Sequence, residues 1–229
     1  MDHEALDIFK NLLITAVNNV APAYLSTHYN EASDIIKNTF GSQRITLKAK
    51  VIGNSIIQTG ERVFCYELYH QLRMLMDQHM AVFQNVCLQG ELKKMQIIHL
   101  AERLGLRPLT AAYIPDFLLH SPSVADEHPY IIEVKTSRTL SWEEVVADIS
   151  KIAEFMTRYN YQRGVFITTA IKLSYVLNTR IANNNLLRNI PNINRLANEI
   201  YILNREDEFH GTTCLPLSQI LTPGFEWLE

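Results

Sequence analysis

Cysteine is scarce in this chain. Cys65, Cys87 and Cys214 are three in number and far apart, and no two of them have the spacing of a zinc-binding pair. A disulfide scaffold and a zinc ribbon are therefore excluded, and buried thiols are expected. The eight histidines are scattered, without a His-x-x-x-His pair. No stretch approaches the roughly 18 uncharged apolar residues that a membrane span needs. The opening Met1-Asp2-His3-Glu4 is acidic and lacks the basic start of a secretory signal, so a cytoplasmic protein with no membrane partner is expected. An excess of positive charge is also missing. Lysine and arginine number 21 against 24 acids, a formal charge of -3, which is not the footprint of a protein that coats nucleic acid non-specifically. A nucleic-acid enzyme stays open, because a carboxylate-lined site adds negative charge that a bound metal offsets. No Gly-rich phosphate loop follows a strand, and no Gly-x-Ser-x-Gly elbow is present, which disfavours a small-molecule α/β enzyme. There is no internal repeat and no low-complexity tract.

What is present is an ordinary globular composition, 47% apolar and 20% charged over 229 residues. That is enough for one good core with an appended segment. The densest information lies in Ile114-Pro115-Asp116-Phe117-Leu118-Leu119 and Tyr130-Ile131-Ile132-Glu133-Val134-Lys135-Thr136. Both read as strands, rich in branched and aromatic residues and separated by a loop with two prolines. A strand repeats every two residues, so Ile131, Glu133 and Lys135 share one face. Glu-x-Lys on a strand commonly belongs to a solvated face. Here the run is too apolar for that, and a buried charge is costly unless it is paired or bound to a metal. Asp116 interrupts its strand in the same way. A hairpin or sheet neighbour would bring it beside Glu133.

Along the chain, Asp2 to Val20 has helical spacing in Leu6, Phe9, Leu12, Leu13 and Val17. A second helix is expected over Glu31–Phe40, and a strand over Ile45–Val51. Gly53-Asn54 and Thr59-Gly60 read as turns, placing a boundary near residue 55 between a mainly helical extension (1–55) and the main domain (56–229). Residues 61–79 form a strong amphipathic pattern, with Phe64, Cys65, Leu68, Tyr69, Leu72, Leu75 and Met76 on one stripe. Glu61 falls within that stripe. It reads equally as a helix-dipole carboxylate or as an acid aimed under the sheet edge. Glu67, six residues on, lies about 240° around the helix and is taken as structural. A strand over 85–92 ends in Glu91, which either faces a site or caps the strand in solvent. A short helix is expected over 96–104. Ser141 and Glu144 form a capping box for a helix over 141–159, with Val145, Ile149, Ile152, Ala153 and Met156 buried. Asp148 and Lys151, three apart, read as a surface pair. A strand over 163–170, helical segments over 171–182 and 193–199 and a strand over 200–203 follow. The tail beyond Arg205, with Pro216 and Pro223, reads as irregular.

Glu in the first core helix, Pro115-Asp116 in the second strand and Glu133-Val134-Lys135 in the third give an order that resembles the PD-(D/E)XK nuclease superfamily. The similarity spans roughly residues 60–170. Glu61-Arg62 with Leu68 and Leu72, Glu91 followed by basic residues, and Asp148-Ile149-Ser150-Lys151 are similar to uncharacterised bacterial branches of it. The resemblance implies an α/β fold, a restriction-endonuclease-like αβββαβ core with a central mixed sheet flanked by helices, plus the N-terminal helical extension. It also implies one or two Mg²⁺ ions, with Mn²⁺ as a substitute, on Asp116, Glu133 and the main-chain carbonyl of Val134, with Glu61 binding a water of the metal or a second metal. Lys135 would orient or activate the attacking water, Glu91 would assist, and the substrate would be nucleic acid, DNA before RNA, in a defence or repair setting. Arg62, Lys93, Lys94, Arg138 and Arg158 are candidates for phosphate contacts. A homodimer is compatible with this picture. The alternative is a non-catalytic nucleic-acid-binding or assembly module that keeps the nuclease-like fold.

Overall fold

The computed structural model describes residues 1–25, 46–90, 109, 113–121, 128–136 and 139–228. In chain order these residues form α1 (His3–Asn19), α2 (Thr46–Asp77), α3 (Met80–Phe83), β1 (Cys87–Gly90), β2 (Phe117–His120) and β3 (Tyr130–Lys135). Then come α4 (Trp142–Arg158), β4 (Arg163–Thr169), α5 (Tyr175–Ala182, a π-type helix), α6 (Asn185–Arg188), α7 (Ile193–Leu196), β5 (Ile200–Arg205), β6 (Thr213–Pro216) and α8 (Leu217–Ile220).

The class is α/β. The six strands make one mixed sheet in the order β1-β2-β3-β4-β5-β6. β1, β2 and β3 are joined antiparallel, β3, β4 and β5 run parallel, and β6 returns antiparallel on β5. The parallel pairs need crossovers, which α4 and the segment holding α5 to α7 supply. Helices therefore cover both faces. Leu118 and Ile131 join one core with Val145, Ile149 and Ile152 of α4. Phe117, Leu119, Tyr130, Ile132 and Val134 join the other with α1 and α2. The period-two alternation of β3 thus sends Glu133 and Lys135 toward α4.

Gly164 on β4 lets α4 lie close to the sheet. A Cβ there would fall 2.2 Å from Ile152 Cγ2. The capping box of α4 is present: Ser141 Oγ accepts from Glu144 N, and Glu144 Oε2 accepts from Ser141 N. On the other face α1, capped by Asp2, shares the core of the sheet. Tyr130 donates to the Leu6 carbonyl, and the buried Arg163 guanidinium pairs with Asp7 and Glu199. Arg205 closes the other end of α1 by donating to the carbonyls of Val17 and Val20.

Three expectations change. Residues 46–51 are helical, not a strand, and α2 runs on through the boundary expected near residue 55. Gly53 and Gly60 lie inside this helix. Each costs about 1 kcal/mol against alanine, which a 32-residue helix tolerates. Tyr69 sits off the buried stripe of α2, 38% exposed, while Phe64, Leu68, Leu72 and Met76 are buried. The tail is not irregular at 213–220: it adds β6 and α8. Pro216 is accommodated at the end of an edge strand, where its missing N–H breaks no ladder. The expected helices over 31–40 and 96–104, together with Glu91, Lys93, Lys94 and Arg138, lie outside the described residues. Among the described residues no helix is long and apolar enough to cross a membrane.

Candidate functional site

The register of the β2–β3 hairpin sets the site. Phe117 pairs with Ile132, so Asp116, one residue earlier, continues toward Glu133 on the same face as Leu118 and Ile131. The Asp116 carboxylate accepts a hydrogen bond from the Val134 main-chain N–H at 2.7 Å. Glu133 is 1% exposed. Its Oε2 lies 2.6 Å from Lys151 Nζ, and its buried Oε1 has no hydrogen-bond partner among the described residues.

Lys135, at the end of β3, is met from both faces. Its Nζ lies 3.5 Å from Glu61 Oε1 of α2 and 3.5 Å from Asp148 Oδ2 of α4, and 3.3 Å from the carbonyl of Val134. Lys151 Nζ also lies 3.3 Å from Asp148 Oδ1. Four carboxylates and two ammonium groups thus form one continuous cluster.

Burial and mutual repulsion govern its protonation. Glu133 is pushed well above the ordinary carboxylate range by desolvation first and by the Asp116 charge second, with Lys151 pulling the other way. Asp116 is raised by burial, against the opposing Val134 hydrogen bond and the two lysines. Glu61 is raised by burial, which outweighs the pull of Lys135. For Lys135 burial works downward, but Asp148, Glu61, Asp116 and Glu133 together raise its pKa. Burial likewise opposes ionisation of Lys151, whose pKa is nonetheless raised by Glu133 and Asp148. The carboxylate field thus holds both lysines as cations.

Of the site residues expected from sequence, Glu61, Asp116, Glu133, Val134 and Lys135 come together. Glu67 bonds to Gln71 on its own helix at 2.8 Å and takes no part. Arg158 pairs with Glu154 at 2.9 Å. Arg62 is exposed and borders a groove next to Glu61. Asp148 and Lys151, whose spacing reads as a surface pair, are members of the cluster. A signal for this was available: Asp148 falls in step with Val145, Ile149 and Ile152, so a charge occupies the buried stripe of α4.

Among the described residues no three carboxylate, imidazole or thiolate groups are gathered as a ready-made metal cage. Comparison with protein-family models, with curated proteins and with solved structures finds no match for this chain.

Proposed function

We propose that this chain is a Mg²⁺-dependent phosphodiesterase of the PD-(D/E)XK type, hydrolysing nucleic acid, DNA before RNA. The observation that carries the proposal is the charge imbalance at the end of β3. Glu61, Asp116, Glu133 and Asp148 surround Lys135 and Lys151, a formal excess of two negative charges when all four acids are ionised, and burial pushes three of those acids toward the protonated form. One divalent cation balances that excess. The donor set fits a hard ion, because all the acids offer oxygen, and the orphaned Glu133 Oε1 needs a partner. Asp116 and Glu133, with the carbonyl of Val134, would hold the ion, and Glu61 would reach it directly or through water. Mn²⁺ is the expected substitute. When bound, such an ion supplies Lewis acidity toward the phosphate and lowers the pKa of a bound water.

The other roles belong to the chain. Lys135 is a cation held between Glu61 and Asp148, and it would orient the attacking water and stabilise charge growing on the phosphate. Lys151 holds Glu133 in place, and Asp148 holds both lysines. Among the described residues, and apart from the one-turn α3 ahead of β1, the order α2, β1, β2, β3, α4, β4 supports the proposal, since it is the αβββαβ order that the sequence resemblance implies. A non-catalytic nucleic-acid-binding or assembly module is the second reading. It is favoured by the saturation of the acids: Lys151 takes one oxygen of Glu133, and the Val134 N–H takes one of Asp116.

A cleavage assay over single- and double-stranded DNA and RNA, with Mg²⁺, Mn²⁺ or chelator, separates the two. Metal-dependent cleavage lost in Lys135→Ala is the expected result. Binding without cleavage in any metal would support the second reading instead.

A further inference from the structure

A groove of about 790 Å³ opens beside the carboxylate cluster and shares Glu61 and Asp116 with it. One wall is a single face of α2, carrying Glu61, Arg62, Tyr66 and Tyr69. The other side includes Phe117 and Ile114. Its apolar surface is unusually open to solvent: Tyr66 is 66% exposed, Ile114 48% and Tyr69 38%. The Tyr69 ring lies nearly parallel to Phe117, at 17° with centroids 6.4 Å apart, so its orientation is fixed by the residue next to Asp116. Along the helix axis Tyr66 and Tyr69 stand about 8 and about 12 Å beyond Glu61, at a rise of about 1.5 Å per residue. That is the range of the nucleotides flanking a phosphate held at Asp116 and Glu133.

We propose that this groove is a subsite for unpaired bases of a single-stranded nucleic acid, with Tyr66 and Tyr69 as stacking platforms and Arg62 facing the backbone. The proposal rests on the nuclease reading and narrows its substrate. Every base has a π-face, so aromatic platforms grip single strands without reading sequence. A paired base in a duplex hides that face, and duplex binding draws instead on many phosphate contacts. Arg62 is the one cation among the described lining residues, and the chain as a whole is acidic. Rings and a single arginine therefore match an unpaired strand better than a duplex.

The test is fluorescence anisotropy with labelled single-stranded DNA and RNA of about 12 nucleotides and a DNA hairpin duplex, in Ca²⁺, on the full chain. Tyr66→Ala and Tyr69→Ala are each expected to weaken single-strand binding about tenfold or more. Tyr66→Phe and Tyr69→Phe are expected to bind as wild type, because they keep the ring. Tyr66 is largely exposed, so Tyr66→Ala is expected to melt with wild type, which separates lost stacking from lost folding. Single-strand binding unchanged in both alanine variants, tighter binding of the duplex, or no nucleic-acid binding at all would overturn the subsite. Mg²⁺-dependent cleavage together with unchanged binding in both alanine variants would remove the subsite and leave the nuclease reading standing. Tyrosine-dependent single-strand binding with no cleavage in any metal would support the subsite and remove the nuclease reading.

Discussion

Lys151 Nζ lies 2.6 Å from Glu133 Oε2, and the carboxylate it meets is almost wholly buried. Two consecutive elements, β3 and α4, are thereby joined through a charge pair under the sheet surface. Such a pair adds little net stability when complete, because desolvation offsets the attraction, but breaking it on one side is costly. Lys151→Met is therefore expected to destabilise the fold by about 3–5 kcal/mol at neutral pH. Adding Glu133→Gln should recover much of that loss, since no buried charge then lacks a partner. Urea unfolding of the two single variants and the double variant measures the coupling. Additive losses would show that the two side chains do not depend on each other.

Protonation of the cluster gives a pH prediction with a definite sign. Glu133, Asp116 and Glu61 all have folded pKa values raised above the unfolded ones. The native state then binds more protons than the unfolded chain, so the stabilising contribution is full below the unfolded values, near pH 4, and is lost as pH rises through the folded ones. The raised pKa values of Lys135 and Lys151 act only in the alkaline range. Without metal, the three acids are therefore expected to lower the melting temperature as pH rises from about 4 toward neutrality. Saturating Mg²⁺ should flatten that slope by binding the ionised form. The comparison is wild type against Glu133→Gln, which should show a weaker slope of its own. An equal slope in both would remove Glu133 as a source.

Packing sets a separate prediction at Gly164. A Cβ at this position meets Ile152 Cγ2 at 2.2 Å, and both residues lie in the buried layer between α4 and β4. Gly164→Ala is expected to destabilise by about 1–3 kcal/mol through overpacking. The double variant Gly164→Ala with Ile152→Val, which removes a different methyl group, should recover little. Gly164→Ala with Ile152→Ala, which removes Cγ2 itself, should relieve the clash and leave a loss due to the lost side chain. Denaturant midpoints of these proteins check the contact.

Much of the cluster was readable in the sequence because β3 imposes a strict period of two. Glu133 and Lys135 had to share a face, and an apolar strand made both charges conspicuous. The hydrophobic stripe made Glu61 conspicuous but left a helix-dipole role equally open, and only the Glu61-Arg62 resemblance favoured the site. Asp148 and Lys151 were less legible because a spacing of three on a helix fits an ordinary surface pair, although Asp148 falls on the buried stripe of α4. The helix over 46–51 was missed because its short apolar alternation mimics a strand. Only continuation into α2 decides the matter. Nor could the sequence show β6, since Pro216 reads as a breaker until the edge of the sheet is known.

Metal binding and chemistry should be separable by substitution. Asp116 and Glu133 are the expected ligands, whereas Lys135 acts as a cation beside them. A thermal melt with and without Mg²⁺, run alongside cleavage of a nucleic-acid panel, compares wild type, Asp116→Ala and Lys135→Ala. The expected result is a metal-induced rise in melting temperature for wild type and for Lys135→Ala but not for Asp116→Ala, with cleavage in wild type alone. An equal metal response in wild type and Asp116→Ala, with no cleavage by any of the three, would contradict a catalytic metal site at the end of β3.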